Sequence, residues 1–293
     1  MVYICVLNYK NTDMTINCLK SLLSLKMVKF KILVIDNASS DESSSRLRTY
    51  ADHYPNIIKF FPLKKNLGYA GGNNIGLKYA LLQKDMDYCW ILNNDTIVEE
   101  DSLRYLVEYM KEHPDVGLCG SKLIYDWDRT KIQGYGGKYN PWIGLSSTYR
   151  NVQDIEKIDF VIGASVFLSR SFLEDVGLMC EDYFLYYEEL DWSMRAKGKF
   201  NLGCEPRSIV YHKEGASIGA NATNPDNKSE FSDYYGLRNR LLFTRKFYPH
   251  CLITVYLSSI IILWNRLKRH QYGRIWMFIK LLIGIHDKRF EVS

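Results

Sequence analysis

Tyr88 to Thr96, Y-C-W-I-L-N-N-D-T, constrains the fold of this chain more than any other stretch, because an apolar run stops there at two amides and a carboxylate. Apolar residues this dense over five positions read as a buried strand of a parallel sheet. The polar C-terminal tip of such a strand opens into the crevice where these sheets bind ligands. Asp95 is a candidate metal ligand there, with Asn93 or Asn94 helping, since a carboxylate at a strand end can hold a divalent cation against a diphosphate. The same Asn-Asn-Asp-Thr also suits the cap of a following helix.

The preceding sequence supplies the rest of a sheet. Tyr3–Leu7, Ile32–Ile35 and Ile57–Phe61 are β-rich runs, and Met14–Leu25 carries Ile16, Leu19, Leu22 and Leu23 on one helical face. Ser39 with Glu42 looks like a capping box opening a polar helix to about Tyr50. Asn66 to Asn74 reads as a glycine-rich loop entering a helix Ile75–Gln83. Strands alternating with helices predict a parallel, Rossmann-like sheet with Asn8, Asp36 and Asn93 to Asp95 on one rim. Asp36 could accept hydrogen bonds from a base or ribose, and the Gly68–Gly72 backbone could approach a nucleotide; a helix cap and plain turn glycines are the alternatives.

Further on, Glu100–His113 predicts an amphipathic helix and Val116–Cys119 a strand. Lys122–Arg150, aromatic and without a clean period, reads as an irregular loop over the site, where rings stack on sugars or pack on the sheet. Asp159–Leu168 reads as a strand, Glu188–Lys197 as a helix, and Ser208–Tyr211 as a strand tipped by His212, a candidate metal ligand. Glu188, Glu189 and Asp191 stand at the edge of the aromatic run Tyr183–Tyr187. Carboxylates beside bulky apolar groups lose hydration and repel one another, which raises the pKa of one and suits a general base; acids at a helix start are the plainer reading.

With 293 residues, one large α/β domain with an appendage is expected. The seven scattered cysteines suit reduced core positions, and no signal peptide precedes Tyr3, so a cytosolic setting is expected. The net charge of +5 is uneven. Residues 234–293 carry +9, leaving −4 on the rest. Within that basic part Cys251–Trp264 is uncharged and mostly apolar, too short to cross a bilayer by itself. It suits a helix lying in a membrane interface, or equally a homodimer contact or a brace against the main domain.

Taken in order, V-L-N-Y-K, V-I-D-N-A-S-S-D, N-L-G-Y-A-G-G-N-N, L-N-N-D-T, E-H-P-D-V-G, G-A-S-V-F-L, F-L-Y-Y-E-E-L-D-W-S-M-R and V-Y-H resemble the family 2 inverting glycosyltransferases of GT-A fold. More narrowly, they resemble the rhamnosyltransferase and galactofuranosyltransferase branch that builds bacterial surface polysaccharides. The match runs from Val2 to Gly215, which implies a catalytic region 1–230 and a basic helical region 231–293.

The resemblance implies that Asn8, Asp36, Asn66, Gly71, Gly72, Asn73 and Asn94 bind a nucleoside-diphosphate sugar of the dTDP or UDP type. It further implies that Asp95, His212 and Asn93 hold Mg²⁺ or Mn²⁺. Glu189 corresponds to the catalytic base, with Glu188 and Asp191 orienting the acceptor or the helix. The family's D-x-D is N-N-D here, poorer in charge, and its base is more often Asp. The acceptor implied is a glycan or a lipid-linked saccharide at the cytoplasmic face of the inner membrane; nucleic acid is not among the partners. A sugar nucleotidyltransferase or a non-catalytic sugar-nucleotide-binding protein is the rival. The absence of any glycine before Gly68 disfavours the pyrophosphate loop of the former and of a dehydrogenase.

Overall fold

A computed structural model describes residues 1–213 and 229–290; Gly215, where the resemblance ends, lies outside the described residues. The first half runs β1 (Val2–Asn8), α1 (Thr12–Leu23), β2 (Phe30–Asp36), α2 (Asp41–Asp52), β3 (Ile58–Pro62), α3 (Gly68–Leu81), β4 (Tyr88–Asn93), β5 (Thr96–Val98), α4 (Ser102–Glu112) and β6 (Val116–Tyr125). Then come β7 (Ile132–Gly134), β8 (Gly136–Asn140), β9 (Leu145–Tyr149), β10 (Ser165–Ser169), α5 (Arg170–Val176), α6 (Glu188–Ala196) and β11 (Asn201–His212). Three helices follow: α7 (Glu230–Phe247), α8 (Leu252–Lys268) and α9 (Tyr272–Leu282).

The central sheet has the order β3-β2-β1-β4-β10-β6-β11-β5, with β7 added on β6. The four strands β3, β2, β1 and β4 are parallel, as their apolar runs predict. β10 is antiparallel to both its neighbours, β6 and β11 are parallel, and β5 turns back antiparallel onto β11. One face is covered by α1, α2 and α4, through buried Cys18, Leu19, Leu22, Leu47 and Leu106; the other is covered by α3, α5 and α6, through Leu77, Phe172 and Trp192. This is a mostly parallel sheet between helical layers, the GT-A-like arrangement.

Five local expectations are corrected. α3 begins at Gly68, seven residues before the predicted start, so the glycines are helical. They are there because α3 lies against β1: a Cβ on Gly76 would sit 2.6 Å from Cys5 Sγ, and one on Gly72 would overlap Leu7. The cap of α2 is Ser40, which accepts from Ser43 N; Ala38 at φ 59° swings Ser39 back, and its hydroxyl accepts from Lys10 N at 2.9 Å instead. The aromatic stretch after Lys122 is not an irregular loop, since β6 runs on to Tyr125 and β8–β9 forms a hairpin. β10 starts at Ser165, because the backbone before it turns aside to pair Phe160 with Gly137. Finally, the apolar run near the C-terminus continues helically through its polar end: Pro249–Lys268 covers 20 residues at mean hydropathy 1.3, long and apolar enough to cross a membrane by length and composition.

α7, α8 and α9 pack on each other through Leu237, Leu241, Val255, Met277 and Phe278. Buried Asp233 of α7 ties them together, accepting from Arg266 of α8 at 2.9 Å and from Arg274 of α9 at 2.7 Å. Leu185, just ahead of α6, is part of the same cluster, so these helices also back the segment that carries the acids.

Candidate active site

The carboxyl ends of β1, β2 and β4 meet in a buried polar network. Asn8 Nδ2 donates to Asp36 Oδ1 at 2.8 Å and to Ser39 Oγ at 3.1 Å, while its Oδ1 accepts from Thr15 Oγ1 at 2.7 Å. Asn94 Nδ2 donates to Thr15 Oγ1 at 2.9 Å. Beside this network Asn37 ties down the entry to α3: its Nδ2 donates to Asn66 Oδ1 at 2.8 Å, and its Oδ1 accepts from Leu67 N at 2.8 Å. Asn66 Oδ1 also accepts from Gly68 N at 2.9 Å. Gly71, Gly72 and Asn73 are buried in the first turns of α3, with Asn73 Nδ2 on Tyr69 O at 3.0 Å and its Oδ1 without a partner among the described residues. Asn8, Asp36, Asn94 and Asn66 therefore share one rim, and Asn73 and the two glycines lie behind it.

The next corner arises from strand pairing. β4 ends at Asn93, the chain reverses, and β5 pairs with β11 so that Thr96 faces His212 in register. That reversal brings residues 95 and 212 together, with Lys213 N donating to Asp95 O at 3.1 Å. His212 Nδ1 donates to Gln133 Oε1 at 2.9 Å, which leaves the lone pair on Nε2. Nε2 stands 3.2 Å from Asp95 Oδ1, a buried oxygen that has no hydrogen-bond donor among the described residues. Two lone-pair atoms held this close repel unless a proton or a metal cation lies between them, and one carboxylate oxygen with one imidazole nitrogen suits a divalent ion. Asn93 turns its amide nitrogen toward Nε2 at 3.5 Å, so it meets the histidine as a donor. Among the described residues, no group of three His, Cys, Asp and Glu side chains forms a closed metal cage.

The acids stand across from this corner at the start of α6. Glu188 is buried, its Oε2 has no partner among the described residues, and burial, then the charge of Glu189, hold its carboxyl well above the usual range. Burial also pushes Glu189 up, to about 7. Its carboxyl lies beside Gly163, whose carbonyl accepts from Tyr69 OH at 2.5 Å. The Tyr69 phenol is raised mainly by burial and then by the charges of Glu189, Glu188 and Asp95. Ala164 O, next to Gly163, accepts from Asn93 N at 3.1 Å, so the tip of β4 runs beside the glycine that Tyr69 and Glu189 flank. Asp191 has no exposed surface: Oδ1 accepts from Arg195 at 2.7 Å, and Oδ2 from Lys246 of α7 at 2.5 Å and Tyr183 OH at 3.1 Å. It fixes α6 to α7, and both of its oxygens are taken up by these partners.

The segment leading into α6 is strained, with Phe184, Tyr186 and Tyr187 at φ 63°, 71° and 75°. Asn239 of α7, fully buried, holds it by donating from Nδ2 to the carbonyls of Tyr183 and Leu185 at 2.7 Å each and of Tyr186 at 3.1 Å. Tyr69, Gln133 and Asn239 are the site residues that the sequence reading does not single out. Tyr69 sits inside N-L-G-Y-A-G-G-N-N, Gln133 in the aromatic stretch expected to be a loop, and Asn239 is an amide among cations in a helix, with no local signal of its own.

Comparison with known proteins bears on this geometry. The sequence model of Glycosyl transferase family 2 matches residues 2–177. The chain is 22% identical over 299 residues to a low-salt glycan biosynthesis hexosyltransferase of Haloferax volcanii, covering 98% of this chain and 86% of that one. It is 26% identical over 214 residues to a poly-beta-1,6-N-acetyl-D-glucosamine synthase of Staphylococcus aureus, covering 72% of this chain but only 49% of that protein, about half its length. Among solved structures, the mannosyltransferase PcManGT of Pyrobaculum calidifontis, in complex with GDP-Man and Mn²⁺, superposes with TM-score 0.59 at 15% identity over 96% of this chain and 84% of that one. Residues 1–349 of S. aureus TarS superpose with TM-score 0.56 at 14% identity over 96% of this chain and 80% of that fragment.

Proposed function

Because the chain belongs to glycosyl transferase family 2, we propose that it moves a hexose from a nucleoside-diphosphate sugar to a saccharide or lipid-linked acceptor with inversion at the anomeric carbon. We read the donor as dTDP- or UDP-linked and rhamnose-like, the product as bacterial surface polysaccharide, and the setting as the cytoplasmic side of the membrane. Residues 1–230 form the catalytic region in this reading. The observation that supports it is that Asp95 and His212 stand 3.2 Å apart, while Glu189 and Tyr69 flank Gly163, whose neighbour Ala164 pairs with Asn93 at the tip of β4.

In this mechanism the Asn8, Asp36 and Asn94 rim takes the nucleoside, with Asn66 fixing the loop beside it. Asp95 and His212 would hold Mg²⁺ or Mn²⁺, which offsets the charge that builds on the departing diphosphate. Glu189, half-buried and raised toward neutrality, takes the proton from the acceptor hydroxyl as that oxygen attacks the anomeric carbon from the face opposite the diphosphate. Burial and the charge of Glu189 raise the Glu188 carboxyl well above the usual range, which opposes a second negative charge beside Glu189. The test is release of free nucleoside diphosphate from a donor panel with and without Mn²⁺, comparing the native chain with Glu189→Gln. Acceptor-dependent release lost in the variant supports the reading; undiminished transfer removes Glu189 as base.

A further inference from the structure

Ten of the eighteen large hydrophobic side chains exposed among the described residues lie at or beyond Ile253. On α8 they follow the helix repeat: Ile253, Leu257, Ile260 and Trp264 face outward, while Val255, Ser259 and Arg266 are buried on the opposite side. The turn between β8 and β9 extends this outward surface with Trp142, Ile143 and Leu145, all exposed. Turn and helix are joined, since Arg240 of α7 donates to both Ile143 O and Ser258 Oγ, and the Trp142 and His250 rings lie 6.2 Å apart.

Of the nine Lys and Arg between Tyr234 and His286, Arg266 and Arg274 pair with Asp233, Lys246 pairs with Asp191, and Arg240 is buried; Lys268 and Lys280 stand beside the outward surface. Lys268 lies over the Trp264 ring at 5.5 Å, and Lys280 over Trp276 at 5.8 Å, so cations border the exposed indoles. An apolar strip edged by indoles and cations matches an interface of acyl chains beneath anionic headgroups.

The packing also fixes the orientation. Twenty residues are enough to cross a bilayer, but a spanning α8 would give up the Arg266–Asp233 pair and the Arg240–Ser258 bond that fasten its inner side along α7. Packed as it is, with one apolar side outward, the helix lies parallel to the surface it meets. The strip ends close to the acids, because Gly144 O in the turn accepts from Tyr187 OH at 2.9 Å, and Tyr187 directly precedes Glu188 and Glu189.

We propose that the 142–145 turn and the outward face of α8 rest on an anionic lipid bilayer, with α8 in the interfacial plane, so that the acceptor reaches Glu189 from the membrane. The acceptor clause rests on the transferase reading; the lipid contact rests on the surface alone. Flotation of the full chain with phosphatidylcholine vesicles, and with the same vesicles containing phosphatidylglycerol, tests the contact. Binding to the phosphatidylglycerol vesicles, reduced by salt, is expected. Lys268→Gln with Arg269→Gln and Lys280→Gln should weaken it by about a hundredfold, from about 1 kcal/mol per cation near such a surface. Leu257→Glu should abolish it while circular dichroism and donor-nucleotide binding in lipid-free solution stay unchanged. Absence of binding, or equal binding to both vesicle types, overturns the proposal. So does a dimer in light scattering that Leu257→Glu converts to monomer, which assigns the face to a second copy. Donor-nucleotide binding without lipid reports on the transferase reading separately, so the two can fail independently.

Discussion

The two halves of the site are built differently. The strand-tip corner of Asn8, Asp36, Asn94 and Asp95 is set by backbone ladders on β1, β2 and β4, and Asn8 joins Asp36 directly and Asn94 through Thr15 by hydrogen bonds. The acid corner before α6 has no ladder beneath it. Three left-handed residues present Glu188 and Glu189, and their shape depends on Asn239 from a helix outside the sheet. In the proposed reaction, donor binding therefore belongs to the sheet, while α7 supplies the positioning of the base.

Substitutions that strike one half and spare the other sharpen this contrast. The largest effect is expected of Glu189→Gln, which should lower kcat for transfer by about 10²–10⁴ with nucleotide affinity unchanged. A parallel loss of nucleotide affinity, seen by calorimetry, would break the division of labour. Next, Asn239→Ala takes the amide donor away from the buried Leu185 carbonyl of the strained segment, at a cost of about 1–3 kcal/mol of stability. Because it misplaces the base, kcat should fall roughly tenfold or more while donor KM holds. Equal changes in kcat and KM would show that α7 supports the whole molecule evenly.

In the other half, Gln133→Leu frees the His212 ring from its tautomer and should weaken Mn²⁺ binding by about 10-fold, read by electron paramagnetic resonance of the free ion, with Gln133→Glu restoring it. The smallest effect concerns pH. Glu189 must be ionised to act, so kcat/KM should rise with pH through a limb near neutrality, above the usual carboxylate range. Glu188 is raised in the folded chain, so ionising it opposes folding: its contribution is lost as pH climbs above the unfolded carboxylate pKa. Glu188→Gln should therefore raise Tm at pH 8 and have little effect at pH 4.

The same contrast explains what the sequence revealed. β1, β2 and β4 were legible because strands buried on both faces read as unbroken apolar runs ending in polar tips. The acids were legible because three carboxyls beside aromatic residues are chemically conspicuous. α3 was misread at its start because glycines weaken helices in isolation, and only the approach of β1 explains them there. Gln133 and Asn239 were hidden because their partners, at positions 212 and 183–186, are set by tertiary packing that no local period encodes.

The central claim is that one pocket lies between the Asp95–His212 corner and Glu189. The most direct test is a crystal structure with a nucleoside-diphosphate sugar and Mn²⁺. The account predicts an anomalous Mn²⁺ peak at Asp95 and His212 Nε2, with the anomeric carbon on the side of Glu189. An ion bound away from both ligands, or a sugar directed away from Glu189, would contradict it.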